Sequence, residues 1–266
     1  MFDGLFKGNS MIDELVNDDY LYHFTSITSF KKIILSKQLL MNKAVKLNDP
    51  YEYGEPLTLI TSNHELSKTD FEFNSIYQKL LKIEKKRYKV VCFCKDKDGL
   101  NIGSNNHEYC KGYGRARMWS QYGDNHKGVC LVFSKKDLLC EVKKQISCFE
   151  INIDYKNDIN DIEDIFNIDL SSRVIKNAKE YFKTFVQPSF YKILSYKYKD
   201  YESENEFRII TKDKSKSKVF INYGNSLKYI IFGDKYKDDT TIQKYLNKIE
   251  CLTIFWNRRG PHISEK

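Results

Sequence analysis

The sequence predicts an α+β domain in which helices flank one mixed sheet. Three observations carry that expectation. Short β-branched and aromatic runs occur near both ends of the chain, helical periodicity fills the stretches between them, and no internal repeat or linker composition separates the halves. At 266 residues, 41% of them hydrophobic, the chain is long enough to bury a full core in one domain. Residues 1–19 read as a lead-in, with Met11, Ile12, Leu15 and Val16 suited to a short helix, and 20–266 as a single domain.

Tyr20-Leu21-Tyr22-His23-Phe24 alternates as a strand, and Thr25-Ser26 supplies hydroxyls for capping the helix that Ile27, Phe30, Ile33 and Ile34 predict. Leu39-Leu40-Met41 follows as a buried strand. Asn48-Asp49-Pro50 then forces a turn, because proline fixes its own backbone and biases Asp49 away from helix. Leu66, Phe73, Ile76, Leu80, Leu81 and Ile83 predict an amphipathic helix before the strand Val90–Cys94. Residues 95–115 are polar and glycine-rich and read as a long loop insertion. Met118–Gly123 predicts a helical turn, Lys127–Phe133 a buried strand, and residues 147–155 a further strand. Ser171 to about Lys197 is the longest helical pattern, interrupted at Pro188. The chain then returns to sheet at Phe207–Ile210, Val219–Ile221, Tyr229–Phe232 and Leu252–Trp256.

No run approaches the roughly 18 apolar residues a membrane-spanning helix needs, and the first residues lack a signal-peptide pattern, so the expectation is a cytoplasmic protein with no membrane partner. Seven cysteines in no framework spacing, several inside apolar runs, agree with a reducing compartment. The net charge of +8 is spread along the chain and permits a polyanionic partner without defining a groove.

Chemistry-bearing residues gather in Tyr201-Glu202-Ser203-Glu204-Asn205-Glu206-Phe207-Arg208. A period of two sets Glu202, Glu204 and Glu206 on one face of a strand, where three like charges are costly unless something positive faces them. The segment is readable as a solvated edge strand or as a carboxylate site for a developing positive centre, with Arg208 pairing Glu206 or holding a phosphate. His23 suits a satisfied core histidine as well as a ligand group, and Trp119 and Tyr122 suit core packing as well as a stacking platform. Cys92, Cys94, His107 and Cys110 are four residues of zinc-ligand type in no recognised spacing, and a cysteine nucleophile paired with His126 has no thiol marked as activated. His64, His107 and His262 lie in polar surroundings and are expected at the surface. A nuclease would need clustered Asp, Glu and His, and the sequence offers no such set.

The ordered motifs LYHFTS, LNDPYEY, VVCFC, MWSQYGDNHKGVCLVF and YESENEFRII, from Leu21 to Ile210, resemble a bacterial family catalogued as domain of unknown function 2971. That family is similar to the ADP-ribosyltransferase superfamily and is encountered among phage-defence genes. The resemblance implies a split-sheet ADP-ribosyltransferase-like fold and NAD as substrate. It also implies transfer of ADP-ribose to a macromolecule, nucleic acid or protein, by a toxin-like effector. The carried-over catalytic roles fall on Glu206, Glu204 and His23. Contacts to NAD fall on His23, Thr25, Ser26, Asn48, Trp119, Tyr122 and Arg208. A glycine-rich phosphate loop is missing, so the alternative is an inactive module on the same fold that senses a nucleotide or a phage component.

Overall fold

The computed structural model describes residues 19–53, 58–63, 65–97, 107–157, 167–170, 177–215, 217–246 and 249–266. The expected lead-in helix, His64 and Ser171–Lys176 lie outside them. Strand β1 (Tyr20–Thr25) runs into α1 (Ile27–Ser36), capped by Ser26, whose hydroxyl accepts the Ser29 amide as the hydroxyl-rich junction predicts. Lys37, left-handed at φ 54°, ends α1 and turns the chain into β2 (Gln38–Lys43). Next come α2 (Pro50–Tyr53), β3 (Leu59–Thr61) and α3 (Lys68–Lys85), which opens with a reciprocal Ser67–Asp70 capping box. After β4 (Tyr88–Cys94) follow α4 (His107–Cys110), α5 (Ala116–Gln121), β5 (Val129–Ser134) and α6 (Lys135–Gln145). The short strands β6 (Phe149–Asn152), β7 (Asp154–Lys156) and β8 (Asn167–Asp169) precede α7 (Ala178–Tyr181). β9 (Tyr196–Tyr198), β10 (Glu206–Lys212), β11 (Val219–Asn222), β12 (Leu227–Phe232), α8 (Thr240–Leu246), β13 (Glu250–Asn257) and β14 (Gly260–Glu265) complete the chain.

The main sheet has ten strands in the order β11-β2-β4-β1-β5-β12-β13-β14, with β10 and then β6 added on β4. It is mixed, because β12 and β13 pair in parallel while β1 and β5 pair antiparallel. It also splits at β4: β10 runs along one side from Glu206↔Cys94 to Lys212↔Tyr88, and the other side is shared by β1 at Cys94 and β2 at Lys89 and Val90. One face packs Leu21, Phe93, Leu131 and Ile230 against Phe30 of α1, Leu138 of α6 and Ile242 of α8. The opposite face is covered in two pieces. Tyr22, Phe24, Cys130 and Ile254 pack with Tyr113 and Trp119, while Tyr88, Val90 and Ile210 pack with Tyr77 of α3 and Phe182 and Phe190 beyond α7.

Two expectations are corrected. The described part of the helix expected at Ser171–Lys197 is a succession of α7, a π stretch at Phe182–Val186 and a 3₁₀ run at Gln187–Ser195, ending before Tyr196 and Lys197 enter β9. Pro188 has no amide to give back, so the α ladder cannot pass through it and the chain widens before it and tightens after it. Residues 95–115 are not a structureless loop, since α4 and a 3₁₀ turn at Gly112–Gly114 lie within them. Asp96 holds the described ends together by accepting from Lys111 Nζ at 2.8 Å and from the Gly112 amide at 2.7 Å.

Candidate functional site

In the seam between the two apolar clusters of the second face lies a group of charges drawn from YESENEFR, from α2, and from the strand before them. The three glutamates do not share a strand face as their spacing predicts. Lys199–Glu204 is a 3₁₀ turn, Asn205 takes the left-handed region at φ 43°, and β10 begins only at Glu206. Glu202 is left exposed. Glu204 and Glu206 nevertheless converge, because the turn brings both carboxylates onto one ammonium: Lys197 Nζ donates to Glu204 Oε2 at 2.6 Å and to Glu206 Oε2 at 3.1 Å.

Glu206 is 5% exposed and Arg208 fully buried; Arg208 donates Nε to Oε1 of Glu206 at 2.7 Å and Nη2 to Oε2 at 2.9 Å. This fork holds both oxygens of the carboxylate. Arg208 Nη1 is taken up by Glu52 Oε1 of α2 and by the Leu194 carbonyl at 2.9 Å, so four of the five N–H groups of the guanidinium are engaged within the protein rather than held out for a phosphate. Burial alone would raise the Glu206 carboxyl, but Arg208 and Lys197 outweigh it and hold it down to about 2. Burial would lower Lys197, and Glu206 and Glu204 override it and push the ammonium well above its ordinary value. Glu52 goes the other way: burial raises it more than Arg208 lowers it, and its Oε2 is buried without a hydrogen-bond partner among the described residues. The backbone of the turn is fixed by Tyr155, whose hydroxyl accepts the Glu206 amide at 2.8 Å, and by Arg115, which donates to the Glu204 carbonyl and to the Lys95 carbonyl at 2.6 Å.

The outer side of the cluster is Tyr122. Its hydroxyl donates to Glu204 Oε1 at 3.2 Å and accepts from Gln121 Nε2 at 3.3 Å, the exposed Asn48 side chain lies beside it, and burial next to Glu204 raises its pKa. Tyr201 lies next to it, its ring between the Lys197 ammonium at 4.5 Å and the exposed Arg117 guanidinium at 4.9 Å. Asn48, Tyr122, Glu204, Glu206 and Arg208 therefore meet as one site.

His23, Thr25, Ser26 and Trp119 do not join it. Paired residues of an antiparallel ladder share a face, and Tyr22 and Glu206 are both paired with Cys94, so His23, one position on from Tyr22, projects from the other side of the sheet. There its ring lies 5.7 Å from Phe93, its Nδ1 is 3.0 Å from the Cys92 carbonyl, and burial lowers its pKa. Thr25 is buried two residues further on the same face, and Ser26 is spent on capping α1. Trp119 is fully buried, edge-on to Phe24, with its indole N–H given to the Tyr113 carbonyl at 2.7 Å.

Among the described residues no group of three or more His, Cys, Asp or Glu is arranged to hold a metal ion. Burial pushes Cys92 well up and Cys94 up to about 12, so both are neutral thiols, the form least suited to zinc or to nucleophilic attack. His126 stacks on Trp119 and meets Trp256 edge-on, with Nδ1 3.0 Å from Asp234, and His262, expected at the surface, is half-buried against Phe255. The side chain of His107 lies outside the described residues. Sequence reasoning missed Lys197, Glu52, Tyr155 and Arg115. The signal for Lys197 and Arg208 was available, because three close carboxylates require facing cations and the nearest lysines and arginine lie in the same stretch.

Comparisons with curated proteins and with solved structures found no match. The segment that supplies Tyr122, Lys197, Glu204, Glu206 and Arg208 is also the one that carries a family signature: residues 118–209 match the model of a family described as protein of unknown function (DUF2971).

Proposed function

We propose that the seam holding Asn48, Tyr122, Lys197 and Glu204 is a ribonucleotide site of the ADP-ribosyltransferase type, which binds NAD or a close relative and reports its presence without consuming it. The resemblance supplies the ligand class. The observation that carries binding over chemistry is Glu206: the carboxylate that the resemblance puts beside the ribose has both oxygens held by Arg208 and Lys197. A ligand would meet Tyr122, Asn48, Tyr201 and Arg117 first, two aromatic rings with amide and guanidinium donors suited to a base and a phosphate.

A second reading keeps transfer, and Glu204 favours it. Its Oε1 is engaged by the half-buried Tyr122 hydroxyl at 3.2 Å, a long contact that a ribose hydroxyl can take over. The bond from ribose to nicotinamide would then break with its electron pair leaving on nicotinamide, Glu204 would stabilise the positive ribose, and an acceptor nucleophile would close on the ribose carbon and release its proton to water. In that reading the protein is an effector of the phage-defence kind with a nucleic acid or protein acceptor, a reading that rests on the resemblance alone.

The test is titration calorimetry with NAD and ADP-ribose, alongside chromatography for released nicotinamide with and without bacterial lysate. Binding without release, weakened about tenfold or more in Asn48→Ala, supports sensing. Release that falls by about a hundredfold in Glu204→Gln supports transfer. Neither binding nor release overturns the site.

A further inference from the structure

We propose that the end of the sheet formed by β2, β4, β10 and β11 is a docking surface for single-stranded nucleic acid, separate from the Tyr122 seam. The strand order here is β10-β4-β2-β11, so the connection from β10 to β11, residues 213–218, has to cross beneath the ends of β4 and β2. The described start of that crossing is tied down at Asp213 and Ser215. Lys89, 1% exposed, spends its ammonium on two carbonyls of the crossing, Ser215 at 3.2 Å and Asp213 at 3.4 Å, and the Asp213 amide donates to the Arg87 carbonyl at 2.7 Å. Asp213 itself is turned inward onto the Ser215 hydroxyl and amide.

The result is a basic rim. Lys86 and Lys214 flank the bonded pair Arg87 and Asp213 in sequence, and extending the register Val219↔Met41 by one residue sets Lys218 opposite Asn42, the chain neighbour of Lys43. Lys86, Lys214 and Lys218 are exposed and Lys43 half-buried, and among the described residues none of the four has a carboxylate partner. The acids facing them are committed elsewhere: Glu84 to Arg87 and Lys212, Asp213 to Lys89 and Ser215. Two residues beyond Lys218, on the edge strand β11, Phe220 is 47% exposed and paired with Leu40. Unpaired cations attract a phosphodiester chain, and a phenyl ring standing open on a sheet stacks a base of any identity. Together they suit a single strand, whose bases are free to stack, better than a duplex.

The measurement is fluorescence anisotropy of labelled oligothymidylate across a salt series, using the full chain. Four phosphate contacts predict that log K falls with log salt at a slope of about −3, on the basis of about −0.7 per contact. Lys214→Glu with Lys218→Glu should weaken binding at least about tenfold and make the slope shallower by about 1.4. Phe220→Ala should weaken it about tenfold at an unchanged slope. Asn48→Ala should leave it untouched, which separates this surface from the nucleotide seam. Circular dichroism and melting temperature certify the folding of each variant, and the milder Lys86→Ala with Lys214→Ala replaces the reversal if that fails. Absence of binding at low salt, or binding indifferent to the lysines, overturns the proposal. So does preference for anionic vesicles with no dependence on Phe220, or self-association through β11 abolished by Phe220→Ala.

Discussion

Glu206 sits at the centre of the ion-paired cluster, held by Arg208 and Lys197. Its charge is buried, and burial of a carboxylate is tolerated only with excellent partners, here the Arg208 fork and Lys197. Removing one partner is therefore far worse than removing the whole set. Lys197→Met leaves the buried Glu204 without a cation while Glu206 keeps the Arg208 fork, and should cost about 3–5 kcal/mol in urea unfolding, whereas Lys197→Met combined with Glu204→Gln, which leaves the Glu206–Arg208 pair intact, should recover much of it. Acid exposes the same cluster. The folded carboxyl titrates near 2, below its unfolded value, so its stabilisation is complete above the ordinary glutamate range and is lost as pH falls towards 2. The gross effect is on the order of 3 kcal/mol, from about 1.4 kcal/mol per pKa unit, and the raised Glu52 offsets part of it by taking up a proton in the folded state. His23, lowered by burial, adds a loss of the same sign that sets in earlier, as pH falls below the ordinary histidine value. Denaturant midpoints should thus decline from about pH 6.5 downward, and Glu206→Gln should flatten the steep acidic part.

At the scale of single elements, stability rests on local devices that can be removed one at a time. Ser67→Ala removes the hydroxyl half of the capping box on α3, leaving the backbone amide of that position to donate to Asp70, and should cost about 1 kcal/mol, read as a lower melting temperature with the Tyr122 seam intact. Gly112→Ala should be more damaging, because a Cβ there would stand 2.2 Å from the Tyr22 ring, which is itself buried in the sheet and cannot withdraw. Elements with a strong period and a cap of their own were legible in sequence: β1 into α1 through Ser26, α3, β4, β5, and the late strands β10 to β13. Those decided by distant partners were not. Asparagine tolerates the left-handed region, but that Asn205 takes it follows from its side chain reaching the Asp96 carbonyl and its own carbonyl accepting the Lys95 amide. The site was legible in the same measure. Glu204, Glu206 and Tyr122 could be named from motif and charge, whereas Lys197, Glu52 and Tyr155 enter through β9, α2 and β7, elements that align only once the sheet exists.

The whole molecule is divided by its sheet, and that division governs which residues can cooperate. β1, β5 and β12 are interior strands covered on both faces, so a side chain changes compartment with every step along them. His23 and Tyr22 are neighbours in sequence, yet one meets Phe93 among the α1 and α6 side chains and the other meets Tyr113 beneath α5. A ligand in the Tyr122 seam would have to pass through a hydrogen-bonded sheet to touch the histidine. His23→Ala should therefore lower thermal stability by removing a packed ring while leaving the affinity for NAD within about twofold, and Asn48→Ala should do the reverse, losing affinity at an unchanged melting temperature. The pair of measurements discriminates because each variant serves as the other's control. A tenfold loss of NAD affinity in His23→Ala would mean that the ligand reaches the sheet from the α1 side, and the seam would then be only the ion-paired core between two apolar clusters.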